Sequence, residues 1–183
     1  MSFKKILVAV NHSPLSSYVF AAAIAQAQFN QGALKLLHCI QMIAEPTVPM
    51  PFDPGIQPNF SANDYQTQQI LMDEQIEKAQ ALLERYRQDA LAQRVPIEVE
   101  YQIGDAGHLV CEAAKEWEAD LVVIGRRGRS GLAEALLGSV SNYVIHHAHC
   151  SVLVIQDVEP EISGTTVSDL SSVETNPIPS YEG

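Results

Sequence analysis

The sequence is short of cysteine, of basic residues and of long apolar runs, and each shortage excludes a class of protein. Its three cysteines, Cys39, Cys111 and Cys150, are odd in number and widely spaced, with no Cys-x-x-Cys. That pattern encodes neither a disulfide framework nor a zinc ribbon, and the three are expected to be buried apolar residues. No apolar run approaches the roughly 20 residues a bilayer span needs. The opening Met1-Ser2-Phe3-Lys4-Lys5 leads into only five apolar residues, Ile6 to Val10, too few for a signal peptide, so the expected location is cytoplasmic. Lys and Arg total 11 against 22 Asp and Glu, a net charge of −11. This argues against nucleic acid as a partner, because binding a phosphate backbone needs a basic surface. Neither a Gly-x-x-x-x-Gly-Lys loop nor a Gly-x-Gly-x-x-Gly fingerprint occurs, which removes two common phosphate-binding designs.

What is present suits an ordinary globular chain: 183 residues, 46% hydrophobic and 18% charged, enough for one domain with a short appendage. The acidity is uneven. Asp157, Glu159, Glu161, Asp169, Glu174 and Glu182 fall in the last stretch with no Lys or Arg, amid Ser, Thr and Pro. Such a composition buries too little to offset its ordering entropy. The expected organisation is a folded domain over 1–156 and a flexible acidic tail over 157–183.

Hydrophobic patterning predicts five strands alternating with four helical segments. Ile6 to Val10 and Leu121 to Ile124 are uniformly apolar, as strands covered on both faces would be. Val19, Phe20, Ala23, Ile24 and Ala27 recur at helical spacing between Ser16 and Gln31, with Gly32 placed to end that helix. Leu34 to Ile40 forms the second strand. Met42 to Asp64 holds Pro46, Pro49, Pro51, Pro54 and Pro58, a density that predicts a long loop. A helix is expected from Gln68 to Gln93. In the following segment Ile97, Val99 and Tyr101 alternate with Glu98, Glu100 and Gln102, which marks an edge strand. A third helix ends near Glu118, a fourth runs from Ser139 to His147, and Val152 to Ile155 supplies the fifth strand. The pattern predicts an α/β fold with a parallel sheet, the first strand beside the fourth, and a ligand cleft between the turns Asn11 to Pro14 and Gly125 to Gly131.

The second of those turns carries the chemistry. Gly125, Gly128 and Gly138 surround a strand end and a helix start, Ser139 opens that helix, and Arg126, Arg127 and Arg129 concentrate cations in an acidic chain. Glycines let backbone amides approach an anion, and a helix N-terminus favours one. The same residues also suit a plain tight turn with a solvated arginine patch, and composition alone does not separate the two.

At these residues the chain resembles the universal stress proteins. Gly125, Gly128, Gly138 and Ser139 fit the Gly-x2-Gly-x9-Gly-Ser pattern of the ATP-binding members, followed by Val140-Ser141. The likeness extends to Lys4-Lys5-Ile6-Leu7-Val8-Ala9-Val10, to Leu37-His38-Cys39 and to Ala119-Asp120-Leu121-Val122-Val123-Ile124-Gly125. It implies a five-stranded parallel sheet in the order 3-2-1-4-5 with helices on both faces, Rossmann-like, and a homodimer paired through Ser151 to Gln156. It also implies an adenine nucleotide as ligand, ATP, AMP or cyclic AMP, alone or with magnesium, and an unidentified regulatory protein partner. Carried over by position, Ala9 and Asn11 would flank the nucleoside and the Cys39 backbone would read the adenine edge. Gly125, Arg127, Gly128, Gly138, Ser139 and Val140 would hold ribose and phosphates. The chain departs from the pattern at Asn11, where the nucleotide-binding members usually have Asp. Asn keeps a carbonyl oxygen for a ribose hydroxyl but brings no charge. His12, next to it, is placed to contact phosphate.

No catalytic residue or metal site is read from the sequence. Adjacent His146 and His147 point about 100° apart on a helix, and a histidine at a helix C-terminus is favoured by the dipole without any metal. Ser139 has no evident His and Asp partners. Two functions from different classes fit: a nucleotide-sensing stress-response regulator whose loop and tail change on binding, or a slow nucleotide hydrolase or phosphotransferase of the same fold. The second needs a carboxylate near the cleft. Asp105 is the obvious candidate, and it is more simply read as the cap of the third helix. Trp117 and Tyr86 read as core residues.

Overall fold

The computed structural model describes residues 2–41, 62–126 and 138–156, with side chains of the second helix from Gln66 onward. The elements are β1 (Lys5–Val10), α1 (Leu15–Asn30), β2 (Ala33–Ile40), α2 (Ala62–Ala92), β3 (Ile97–Ile103), α3 (Ala106–Glu116), β4 (Leu121–Arg126), α4 (Ser139–His147) and β5 (Ser151–Gln156). All neighbouring strands pair in parallel, in the order β3-β2-β1-β4-β5. β1 and β4 lie centrally and β3 at an edge, as the apolar runs and the alternating strand require.

Alternation along the strands feeds two cores. Ile6, Val8, Leu34, Leu36 and Val123 face α1 and α2, against Val19, Phe20, Leu83 and Tyr86. Leu7, Leu37, Val122 and Ile124 face α3 and α4, against Val110, Ala113 and Val144. Ile6, Leu7 and Val8 are wholly buried, and full burial of such a side chain contributes about 1.5–3 kcal/mol. Trp117 packs half-buried at the rim of the second cluster. Cys39, Cys111 and Cys150 are half-buried at that rim, not enclosed as expected.

Two local readings are corrected. The left-handed residue that ends α1 is Gln31, at φ 52°, and not Gly32. Gly32 is required by close approach instead: a Cβ there would stand 2.7 Å from the Phe3 carbonyl oxygen and 2.9 Å from that of Lys4. α2 begins at Ala62, inside the segment expected as loop. Gln66, Thr67, Gln68, Gln69 and Ile70 are all exposed, so hydrophobic periodicity could not reveal this part of the helix. The rest of the proline-rich segment, 42–61, and the acidic stretch 157–183 lie outside the described residues.

Polar contacts fasten the ends. Asp120, just before β4, accepts from the Lys4 and Lys5 amides at 2.8 and 2.9 Å through one carboxylate oxygen, tying the starts of the two central strands. Asp105 caps α3 by accepting from the His108 amide at 3.0 Å, as expected of it.

Candidate functional site

β1 is the short strand at the carboxyl end of the sheet. It stops at Val10 opposite His38, and it pairs with β4 only as far as Ala9 opposite Ile124. β2 continues through Cys39 and Ile40 paired with β3, and β4 continues through Gly125 and Arg126 paired with β5. The notch above β1 is the point where the winding of the sheet reverses, which is where open α/β sheets place their ligands. A cleft of about 700 Å³ opens there, a size typical of small-molecule sites.

Ala9, Asn11, His12, Cys39, Gly125, Gly138, Ser139 and Val140 all line this cleft. The structure therefore gathers residues from β1, β2, β4 and α4 that are far apart in the chain. Arg127, Gly128 and Arg129 lie outside the described residues. Arg126 does not line the cleft, and its Nε is buried without a hydrogen-bond partner.

The turn after β1 is held by Asn11. Its side-chain oxygen accepts from the Ser13 amide at 2.9 Å and from the Ser16 hydroxyl at 3.0 Å, while Ser16 Oγ accepts from the Asn11 amide at 2.9 Å. Ser16 is buried in the first turn of α1. This corrects the expectation that the Asn11 carbonyl oxygen is free for a ligand hydroxyl: both of its lone pairs are spent within the turn. The amide NH2 takes no part in these bonds.

Beside it, the His12 ring meets that of His38 edge to face, centroids 5.1 Å apart. His38 is buried, and its Nδ1–H donates to the Val10 carbonyl at 3.0 Å. Burial holds its pKa below the ordinary histidine value; the Val10 bond opposes that shift and neighbouring His12 adds slightly to it. The Cys39 thiol is pushed up to about 12 by burial, then by the negative charges of Asp105 and Glu100, so it is a neutral wall group and not a nucleophile.

On the opposite wall α4 begins at Ser139, with Gly138 as its N-cap and no side-chain cap among the described residues; Gly138, Ser139 and Val140 line the cleft, which sets the positive end of the helix dipole there. Ser141 is occupied elsewhere, donating to the Gly138 carbonyl at 3.0 Å. Among the described residues a Cβ on Gly138 would meet only Ser141 Oγ, at 3.8 Å, so none of them requires a glycine there for packing. Gly125 differs. A Cβ there would stand 2.9 Å from Leu15 Cδ2 and 3.0 Å from Val19 Cγ2, so this glycine seats α1 on β4.

Sequence reasoning missed Lys78 and Gln75, which α2 brings to the cleft wall; an amphipathic helix gives no sign of which exposed lysine overlooks a distant strand end. Lys78 is paired with Glu74 at 2.7 Å, which holds the Glu74 carboxyl below its usual range through that hydrogen bond. No Asp or Glu lines the cleft among the described residues. They therefore do not fit a magnesium ion held by the protein. In the histidine run, His147 stacks on Tyr143 at 4.0 Å and its Nδ1–H donates to the Tyr143 carbonyl at 2.8 Å. No helix of the described residues is long and apolar enough to cross a membrane.

A doubly wound parallel sheet with a cleft at its switch point defines a Rossmann-like α/β domain. The chain belongs to the universal stress protein family, whose family model matches residues 2–156. Universal stress protein Sll1388 of Synechocystis sp. is 38% identical over 160 residues, spanning 85% of this chain and 99% of that protein. Among solved structures, a universal stress protein of Arabidopsis thaliana with AMP bound has a TM-score of 0.60 at 22% identity, covering 88% of this chain and 97% of its own. Another universal stress protein, in complex with cAMP, has a TM-score of 0.60 at 24% identity, covering 85% and 98%. At such identities the likeness of structure is one of fold.

Proposed function

We propose that the protein is an adenine-nucleotide-binding regulator of the stress response that works as a homodimer. The observation that carries this reading is the uncapped start of α4, open at Gly138, facing a cleft of nucleotide size. Phosphate oxygens suit the free amides of α4 and the Ser139 hydroxyl, with Arg127 and Gly128 adding to the grip. An adenine suits the other end, where Cys39 runs past the end of β1 and leaves backbone groups for its edge, between apolar walls that include Val110 and Ile124. The sugar then lies over the end of β1, between Ala9 and Asn11. The AMP and cAMP held by neighbours of the same fold support this class of ligand, to which ATP also belongs. The dimer would form through β5, whose outer edge has no strand beside it among the described residues. The reading as a hydrolase or phosphotransferase draws no support from the described lining, which supplies no carboxylate.

Calorimetric titration with AMP, ATP and cAMP tests the site. One nucleotide per chain is expected, and Gly138→Val abolishes it while leaving circular dichroism unchanged, because φ at 138 is −55° and the space beside it is open. Unchanged affinity in that variant, or no binding by any of the three at millimolar concentration, overturns the assignment. Gly125 is unsuited to this test, since any side chain there strikes α1.

A further inference from the structure

We propose that Asn11 directs the cleft toward nucleotides whose ribose carries a phosphate ester at O2′ or O3′, in preference to those with a free 2′,3′-diol. The proposal rests on the nucleotide reading above and concerns only the sugar end of the site. Its foundation is the orientation of one amide group. A backbone N–H only donates, so the Asn11 atom 2.9 Å from the Ser13 amide is the oxygen, and that same oxygen takes the Ser16 hydroxyl at 3.0 Å. Ser16 is buried and returns a bond to the Asn11 amide, so the turn holds the side chain from two directions. Asn11 therefore meets the ligand with Nδ2 alone, a pure donor.

The two O–H groups of a ribose diol are held best by acceptors, and the Asn11 side chain, with its oxygen engaged in the turn, supplies none. Phosphate ester oxygens only accept, and they match it. The surroundings agree. His12 and the Ser13 hydroxyl, on the same turn, line the cleft beside Asn11, and no Asp or Glu does so among the described residues, so an added dianion meets donors and no like charge. An Asp at this position would keep both bonds within the turn and turn its second oxygen to the ligand. It would accept from a diol and repel a phosphate.

The test compares AMP with adenosine 3′,5′-bisphosphate and adenosine 2′,5′-bisphosphate by calorimetric titration of the full chain and of its Asn11→Asp and Asn11→Ala variants. The wild type is expected to bind at least one bisphosphate about tenfold or more tighter than AMP. Asn11→Asp, isosteric and able to keep the turn, reverses the preference. Asn11→Ala falls between, and circular dichroism checks that each variant is folded. If the wild type binds AMP as tightly as both bisphosphates, or if Asn11→Asp shows the wild-type ratio, the proposal is overturned while the nucleotide site stands. If none of the three binds at millimolar concentration, both fall.

Discussion

His38 is a histidine that the fold keeps neutral. Burial is the main cause of its lowered pKa, outweighing the Val10 carbonyl bond that favours the protonated ring. An unfolded chain has no such burial, so its histidine takes a proton near pH 6.5. Above that pH both states are neutral and the contribution is constant. As pH falls through it, the unfolded state gains a proton that the native state resists, and stability declines. Urea unfolding of the wild type should therefore show a midpoint that drops between pH 7.5 and 5.5. His38→Asn, although less stable by on the order of 1–3 kcal/mol, should show a smaller drop; equal drops would assign the acid sensitivity elsewhere. At the same scale, the Cys39 thiol at about 12 stays protonated at pH 8. Iodoacetamide is expected to leave Cys39 unmodified in the folded chain and to alkylate it fully in urea, as peptide mass spectrometry would report. Single-residue roles were the least legible part of the sequence. Asn11 could be singled out, but its binding edge is decided by Ser13 and Ser16, and no pattern in the chain announces which of two amide atoms a turn will consume.

Elements were legible where burial imposes a period. All five strands and the start of α4 follow from apolar runs and alternation, because each of those residues answers to a core on a known face. α2 was legible only where Ala79, Leu83, Tyr86 and Ala90 are buried; the exposed stretch from Gln66 to Ile70 carries no hydrophobic period. Gly32 reads as a helix end and is required by close approach instead, since close approach of a distant strand or helix leaves no local mark. Gly125 makes this measurable. Gly125→Ala places a methyl against Leu15 and Val19 and should cost roughly 1–3 kcal/mol, whereas Gly138→Ala should stay within about 0.5 kcal/mol of the wild type. Equal effects in thermal or urea unfolding would contradict the packing described for α1 on β4.

For the whole molecule, the open question is what covers β5. Val152, Leu153, Val154 and Ile155 are half-buried on an edge with no neighbouring strand among the described residues, and the strand contains no Lys or Pro to discourage pairing. A second copy docked edge to edge would satisfy it. Charge opposes that step, since each copy carries −11, of which the six carboxylates beyond residue 156 supply more than half. Apolar strand pairing is insensitive to salt, while repulsion between two acidic chains is screened within about 10 Å at 0.1 M ionic strength and within about 3 Å at 1 M. The proposed dimer is therefore expected to tighten as salt rises, the opposite of an interface held by ion pairs. Sedimentation velocity should show a species of twice the 20.0 kDa chain mass, growing at the expense of monomer from low to high salt. Val154→Lys sets a like charge beside its symmetry mate and should shift the population to monomer. A monomer at every salt concentration would remove the dimer from the proposed function, and a dimer that weakens with salt would place the interface on some surface other than β5.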